Sequence, residues 1–154
     1  MFSMFKKKPE QLVSPTTGEL VPLQEVEDAV FSQGMMGQGF GVNPSISEIY
    51  TPVAGTVTSI FPTKHAIGLQ TKSGKEVLVH IGIDTVELNG AGFEICVQEK
   101  QKISAGTLMV RLDREFLKAQ GKKDTVIVVF PEGEQAINLS KQAVKANEVL
   151  LELA

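Results

Sequence analysis

One cysteine, two histidines and a small net charge of −3 set the first limits on this 154-residue chain. A lone Cys96 cannot close an intramolecular disulfide, which favours a reducing compartment. It lies in Phe93-Glu-Ile-Cys-Val97 and reads as a small buried hydrophobe rather than a nucleophile. No apolar run reaches the roughly 18 residues that a transmembrane helix needs. The weak negative charge gives no support to nucleic-acid binding. Met1-Phe-Ser-Met-Phe-Lys-Lys-Lys8 lacks the long apolar core of a secretory signal. It reads as a frayed, solvated terminus, with a weak membrane-surface element as the other reading. Gly-x-Ser-x-Gly, Cys-x-x-Cys, His-Glu-x-x-His and Gly-x-x-x-x-Gly-Lys are all missing, so the common hydrolase, redox, metalloprotease and nucleotide signatures are not met. Gly37-Gln-Gly-Phe-Gly41 is glycine-rich, but no helix pattern follows it, so it reads as a tight loop.

What is there is an ordinary globular balance, 42% apolar and 21% charged, in a length that suits one domain. Short β-patterned runs recur between turn signals. They are Glu19–Leu23, Gly39–Asn43, Glu48–Tyr50, Gly55–Phe61, His65–Thr71, Glu76–Ile83, Phe93–Val97, Thr107–Leu112, Thr125–Phe130 and Glu148–Glu152. Thr17-Gly18, Asn43-Pro44, Ser73-Gly74, Asn89-Gly90 and Pro131-Glu-Gly133 punctuate them. This spacing predicts an all-β protein, an antiparallel sandwich or barrel. Helix is confined to a capped stretch over Asp113–Gln120 and a single turn at Val86–Leu88. Ser14-Pro-Thr-Thr-Gly-Glu-Leu-Val21 is echoed by Thr51-Pro-Val-Ala-Gly-Thr-Val-Thr58, which points to related β units. Glu148–Ala154 reads as a closing strand, and the chain reads as a complete protein.

The stretch GKEVLVHIGIDTV over residues 74–86 carries the chemistry. Strand side chains alternate faces, so Val77, Val79, Ile81 and Ile83 point inward. His80 then points outward, with Gly82 and Asp84 following on its face. The other histidine, His65, shares its parity with Thr63, Ile67 and Leu69, and alone it reads as a hydrogen-bonded, part-buried residue. A hairpin through Lys72–Lys75 pairs residues whose numbers sum to about 145 to 147, with cross-strand neighbours about 5 Å apart. Both imidazoles then meet at the open end of the hairpin, with Thr63 beside one and Asp84 beside the other. Two adjacent imidazoles suit metal binding, given a third ligand. They equally suit phosphoryl transfer, in which one ring attacks phosphorus and its neighbour donates to the phosphoryl oxygens. Gly82 lets backbone approach closely, and Thr63 can fix the tautomer of His65.

From about Val13 onward the chain resembles the glucose-type enzyme IIA component of the bacterial phosphoenolpyruvate-dependent sugar phosphotransferase system. GKEVLVHIGIDTV followed by Glu87-Leu88 matches the family's active-site signature, and Phe61-Pro-Thr-Lys-His-Ala-Ile67 matches its second histidine segment. Val30-Phe31, Gly37-x-Gly39, Asn43-Pro44 and Pro52-Val-x-Gly55-x-Val57 match its framework turns. The resemblance implies an all-β antiparallel sandwich or barrel of the duplicated hybrid-motif type. It implies a flexible segment over residues 1–12 and one domain over 13–154. His80 would be phosphorylated on Nε2, His65 would coordinate the phosphate, Thr63 would orient His65, and Asp84 would meet a partner arginine. Phe40, Val42, Phe61, Leu78 and Ile81 fall near an apolar docking surface, although parity turns Ile81 inward. Where the family often has an aspartate contacting the phosphocarrier protein HPr, this chain has Gln38, which lacks an ionised acceptor's strength.

The resemblance thus implies a cytoplasmic, monomeric phosphocarrier, a phosphotransferase component. It would take phosphate from HPr onto His80 and pass it to the IIB domain of a glucose-class permease at the membrane. It would use no cofactor and no metal of its own. The alternative is a regulatory binding protein of the same fold that acts through its apolar face. A zinc ion bridging His65, His80 and a partner carboxylate would belong to that role. A lysostaphin-like metallopeptidase needs His-x-His, and Gly82 stands where the second histidine would be.

Overall fold

Val126-Ile-Val-Val-Phe130 is apolar throughout, and all five residues are buried. A strand buried on both faces belongs in the interior of a sheet with cover on each side. The computed structural model describes residues 9–132 and 135–154. Its strands are β1 (Gln11–Val13), β2 (Gly18–Pro22), β3 (Gln38–Pro44), β4 (Glu48–Tyr50), β5 (Gly55–Ile60), β6 (Ala66–Thr71), β7 (Glu76–Ile81), β8 (Phe93–Ile95), β9 (Lys102–Ile103), β10 (Leu108–Leu112), β11 (Val126–Phe130), β12 (Gln142–Val144) and β13 (Val149–Glu152). Two short helices, α1 (Ala29–Ser32) and α2 (Arg114–Ala119), and 3-10 turns at Leu23–Glu25 and Thr85–Leu88 complete the described residues.

An eight-stranded sheet runs β12-β2-β3-β11-β7-β6-β5-β9, with a three-stranded sheet β4-β10-β8 and the pair β1-β13. Every strand pair is antiparallel. The expected all-β architecture is therefore present. The β6–β7 hairpin pairs Ala66 with His80 and Ile67 with Val79, in the predicted register. Val77, Val79 and Ile81 are buried at 2%, 0% and 0% exposure, so the alternation along β7 holds to Ile81. Ile83, expected inward with them, lies past the strand's end and the left-handed Gly82 and packs half-buried against the cluster on the opposite face. α2 starts at Asp113, whose carboxylate accepts from Phe116 N at 3.0 Å.

Two apolar clusters flank the large sheet. The main one joins Phe40, Val42, Ile67, Leu69, Val79, Ile81, Val126 and Val128 to residues of the smaller sheets. A smaller one lies on the opposite face: Val21, Leu23, Val26, Phe31, Ile127 and Val129, with Met36, Leu78 and Ile83 against it. That division corrects two docking expectations. Phe40 and Val42 are completely buried, because their parity along β3 aims them into the main core. Ile81 is buried for the same reason.

The ordered fold also begins before residue 13. Gln11 pairs with Glu152 and Leu12 with Leu151, and Leu12 is fully buried. The readings of Met1–Lys8 lie outside the described residues. Cys96 is half-buried rather than buried, since it follows the end of β8, with Sγ 3.9 Å from Arg111 Nη1. β1, β9 and β12 were not predicted; at two or three residues each they are too short to show alternation. Truncating a buried aromatic costs about 3–5 kcal/mol. Urea denaturation of Phe40→Ala is expected to show a loss of that size, and a loss under about 1 kcal/mol would mean that Phe40 is no core residue.

Candidate functional site

The site is built at the open end of the β6–β7 hairpin. β7 delivers His80 on the outer face of the sheet, directly opposite Ala66 on β6 and Ile127 on β11. His65 precedes β6, and its carbonyl accepts from Ile81 N at 2.7 Å. Strict alternation would have sent His65 inward with Ile67. Instead Lys64 adopts a left-handed φ of 63°, the chain turns, and the His65 ring meets His80. The two ring centroids are 5.0 Å apart with planes at 83°. Phe61 packs edge-on to His65 at 5.8 Å. Thr63 Oγ1 lies 2.7 Å from His65 Nδ1, which leaves Nε2 as the free nitrogen of that ring.

His80 is packed from the other side by Phe31, at a centroid distance of 4.7 Å. Its Nδ1 is buried without a well-formed hydrogen bond among the described residues, although the Gly82 backbone beside the ring favours the protonated form. Burial, and then the neighbouring His65, push the pKa of His80 down to about 4. Asp28 opposes that shift, so its carboxylate lies close enough to act on the ring. Burial also lowers His65, against a backbone hydrogen bond with Thr63. Both rings are therefore neutral near pH 7, and a neutral imidazole has the lone pair that a nucleophile needs.

Past His80 the chain turns sharply. Gly82 has φ +85°, and a Cβ there would stand 2.3 Å from Thr85 Cγ2 and 2.8 Å from Lys123 O. Its N–H donates to Thr125 O at 2.7 Å, tying the turn to the segment before β11. Asp84 follows, exposed and itself left-handed at φ 58°, and it leads into the 3-10 turn. Among the described residues no group of three His, Cys, Asp or Glu side chains is placed to hold a metal ion.

The structure thus brings His80, His65 and Thr63 together and sets Asp84 close by in sequence, on an exposed turn. Phe61 is exposed beside His65, whereas Leu78 is half-buried against the second cluster. Gln38 is elsewhere. It is three residues along β3 from Gly41, which is level with Ile127 and so with His80, about 10 Å along the strand direction and two strands across. Its Oε1 accepts from Ile137 N at 3.2 Å. The acid that reaches His80 is Asp28, which the sequence reading passed over. Asp28 caps α1, accepting from Val30 N at 2.9 Å and Phe31 N at 3.4 Å. An Asp immediately before Ala-Val-Phe was the available signal, a helix start too short to be recognised by periodicity.

The family described as phosphoenolpyruvate-dependent sugar phosphotransferase system, EIIA 1, matches residues 10–136. The chain belongs to this family. It is 48% identical over 139 residues to a protein of Streptococcus pneumoniae named PTS system glucose-specific EIICBA component, covering 89% of this chain and 19% of that one. It therefore spans about a fifth of that relative's length. It is 43% identical over 129 residues to the PTS system glucose-specific EIIA component of Staphylococcus aureus, covering 84% of this chain and 78% of the other. The glucose permease IIA from Mycoplasma capricolum superposes with a TM-score of 0.83 at 38% identity, covering 96% of each chain. As a member of the EIIA family the chain is a phosphotransferase-system component with the antiparallel β fold of that relative. No helix among the described residues is long and apolar enough to cross a membrane.

The depressed pKa of His80 has a consequence for stability. Between the ordinary value of 6.5 and about 4, the unfolded chain binds a proton that folded His80 refuses. Stability is present in full above that window and is lost as pH falls through it, by on the order of 3 kcal/mol. Urea midpoints measured from pH 7 to pH 4 are expected to fall, and His80→Gln is expected to flatten the fall. An equally steep fall in the variant would mean that His80 is not the group responsible.

Proposed function

We propose that the chain carries phosphate for the sugar phosphotransferase system, taking it from phospho-HPr onto Nε2 of His80 and passing it to a permease IIB domain. The observation that carries this reading is the perpendicular pair of neutral imidazoles, one of them locked through Nδ1. The lone pair of His80 Nε2 attacks phosphorus in line, and the N–P bond to the donor histidine breaks as the new N–P bond forms. The proton on Nδ1 of His80 stays where it is, and the donor leaves as a neutral imidazole. In the tautomer whose Nδ1 accepts from the Thr63 hydroxyl, the Nε2–H of His65 is free to donate to the phosphoryl oxygens. Such positioning and charge stabilisation supply most of the catalysis in phosphoryl transfer. The reverse movement, to a cysteine or histidine on IIB, uses the same groups. The name of the pneumococcal relative, EIICBA, supports a IIB partner.

The surface suits brief docking. Val30 on α1, Met35 after it, Phe61 beside His65 and Val86 after Asp84 are exposed by 46%, 69%, 41% and 48%. All four lie on the segments that flank the histidine pair, and two acids, Asp28 and Asp84, lie among them. An apolar centre with a charged rim fits a transient protein interface. These residues take the place of Phe40 and Val42 as the docking set. Asp28 takes the place expected of residue 38 as the second acid facing a cationic partner. The half-buried free thiol suits a cytoplasmic setting.

Intact-mass analysis after incubation with phosphoenolpyruvate, enzyme I and HPr tests the transfer. One acid-labile phosphoryl group is expected, dependent on HPr, absent in His80→Gln and retained in His65→Gln. An unlabelled wild type beside phosphorylated HPr would sink the carrier reading. For docking, the double variant Val30→Ser/Phe61→Ser is expected to raise KM for phospho-HPr at least about fivefold with little change in kcat. An unchanged KM would place the docking face elsewhere.

A further inference from the structure

Four acids stand on the two segments that flank the histidine pair. Glu27 and Asp28 lead into α1, while Asp84 opens the 3-10 turn after β7 and Glu87 lies within it. Two of the four are matched by lysines, and both lysines come from one loop. Lys122 pairs with Glu87, and Lys123 pairs with Glu27. Asp28 and Asp84 have no lysine or arginine partner among the described residues. The loop that carries the lysines, residues 121–125, is bound to the site by its backbone. Lys123 O accepts from Ile83 N at 3.0 Å, and Thr125 O accepts from Gly82 N at 2.7 Å. The loop is thus held against the turn that follows His80, and its two ammonium groups reach one wall of the site each.

The two pairs differ in exposure, and exposure decides which can exchange. The Lys122 side chain is only 18% exposed, so its ammonium has little room to leave Glu87 for water. The side chains of Lys123 and Glu27 are 56% and 64% exposed. Water and salt screen such a pair, which shifts an equilibrium by about fivefold at most. A second cation can therefore take Glu27 from Lys123 at small cost, and the released ammonium is simply solvated. Glu27 directly precedes Asp28 in the chain, so a cation seated on Asp28 arrives beside it.

We propose that Lys123 masks Glu27 in the free protein and yields it to a cationic partner on docking, which makes Glu27 a third acidic contact on the rim beside Asp28 and Asp84. This deepens the phosphocarrier reading and rests on it, with phospho-HPr as the partner. Lys122 has the fixed part, keeping Glu87 matched throughout. The mask weakens the rim's pull on stray cations, whereas a partner with several correctly spaced charges displaces it. Charge arranged in this way serves discrimination between partners more than raw affinity.

The test is a double-mutant cycle on KM for phospho-HPr at low ionic strength. Lys123→Gln is expected to lower KM about threefold with kcat little changed, and Glu27→Gln to raise it by a similar factor. With Glu27 already replaced by Gln, adding Lys123→Gln is expected to lower KM by less than about 1.5-fold. Lys72→Gln, an equal charge change at the closed end of the β6–β7 hairpin, is expected to leave KM as it is. An equal gain from Lys123→Gln in both backgrounds would overturn the mask, since Lys123 would then act only through overall charge. So would no gain at all, or the same gain from Lys72→Gln. A second readout uses the unphosphorylated protein. Lysine acylation by acetic anhydride, followed by peptide mass spectrometry, is expected to modify Lys123 at least about twofold faster in Glu27→Gln than in wild type, with Lys72 unchanged. An unchanged rate at Lys123 would mean that the pair does not form, and the proposal would fall. Acylation needs no phosphoryl donor, so it judges the pair even where a failure of wild-type labelling overturns the carrier reading.

Discussion

Backbone pairing between β6 and β7 is the constraint on which the site depends. With Ala66 opposite His80, the imidazole stands on the outer face while Val79 and Ile81 fill the main core. A slip of one residue would send His80 inward and two branched side chains out to water. The register is therefore held by the burial of the strand's apolar set as much as by its hydrogen bonds. The central position of β7, between β11 and β6, adds a second ladder that opposes the same slip.

Regular pairing places one histidine but not the other. His65 reaches its partner because it lies just outside the ladder, after a left-handed Lys64. On the far side, left-handed Gly82 and Asp84 turn the chain away from the sheet as β7 ends. Both imidazoles thus sit where regular structure stops, held by strands but reached through turns. Rigid elements supply precision, and irregular ones supply directions that alternation forbids.

Electrostatics at the site follow from burial. A half-buried imidazole with a second imidazole as neighbour resists a proton, and Asp28 offsets only part of that resistance. Neutral rings favour attack on phosphorus. The arrival of a phosphoryl dianion reverses the balance, because a negative charge against the ring stabilises its protonated form. On the proposed phosphocarrier reading, the same groups would favour accepting phosphate when empty and holding it when charged. In the proposed transfer, the exposed apolar residues around them would give a partner a surface to dry, which strengthens every charge interaction within.

The sequence by itself determined the longer strands, the inward parity of β7 and the hairpin register that brings its two histidines level with each other, while the turn at Lys64 that lets the rings meet is a tertiary feature. Strands, parity and register are local features: a period of two, a turn signal and a short loop confine them within about twenty residues. The α2 helix was legible for the same reason, since its cap and stop lie within one segment. Only the tertiary structure decided what surrounds the pair. Asp28 and Phe31 come to His80 from some fifty residues away, on a four-residue helix with no room for a period. Phe40 and Val42, which lie near a docking surface by resemblance, are core because β3 pairs with both β2 and β11. Gln38 likewise left the site once that pairing set its distance from His80. Alternation says which side chains share a face, but only the packing of sheets says which face meets water, and which distant segment covers it.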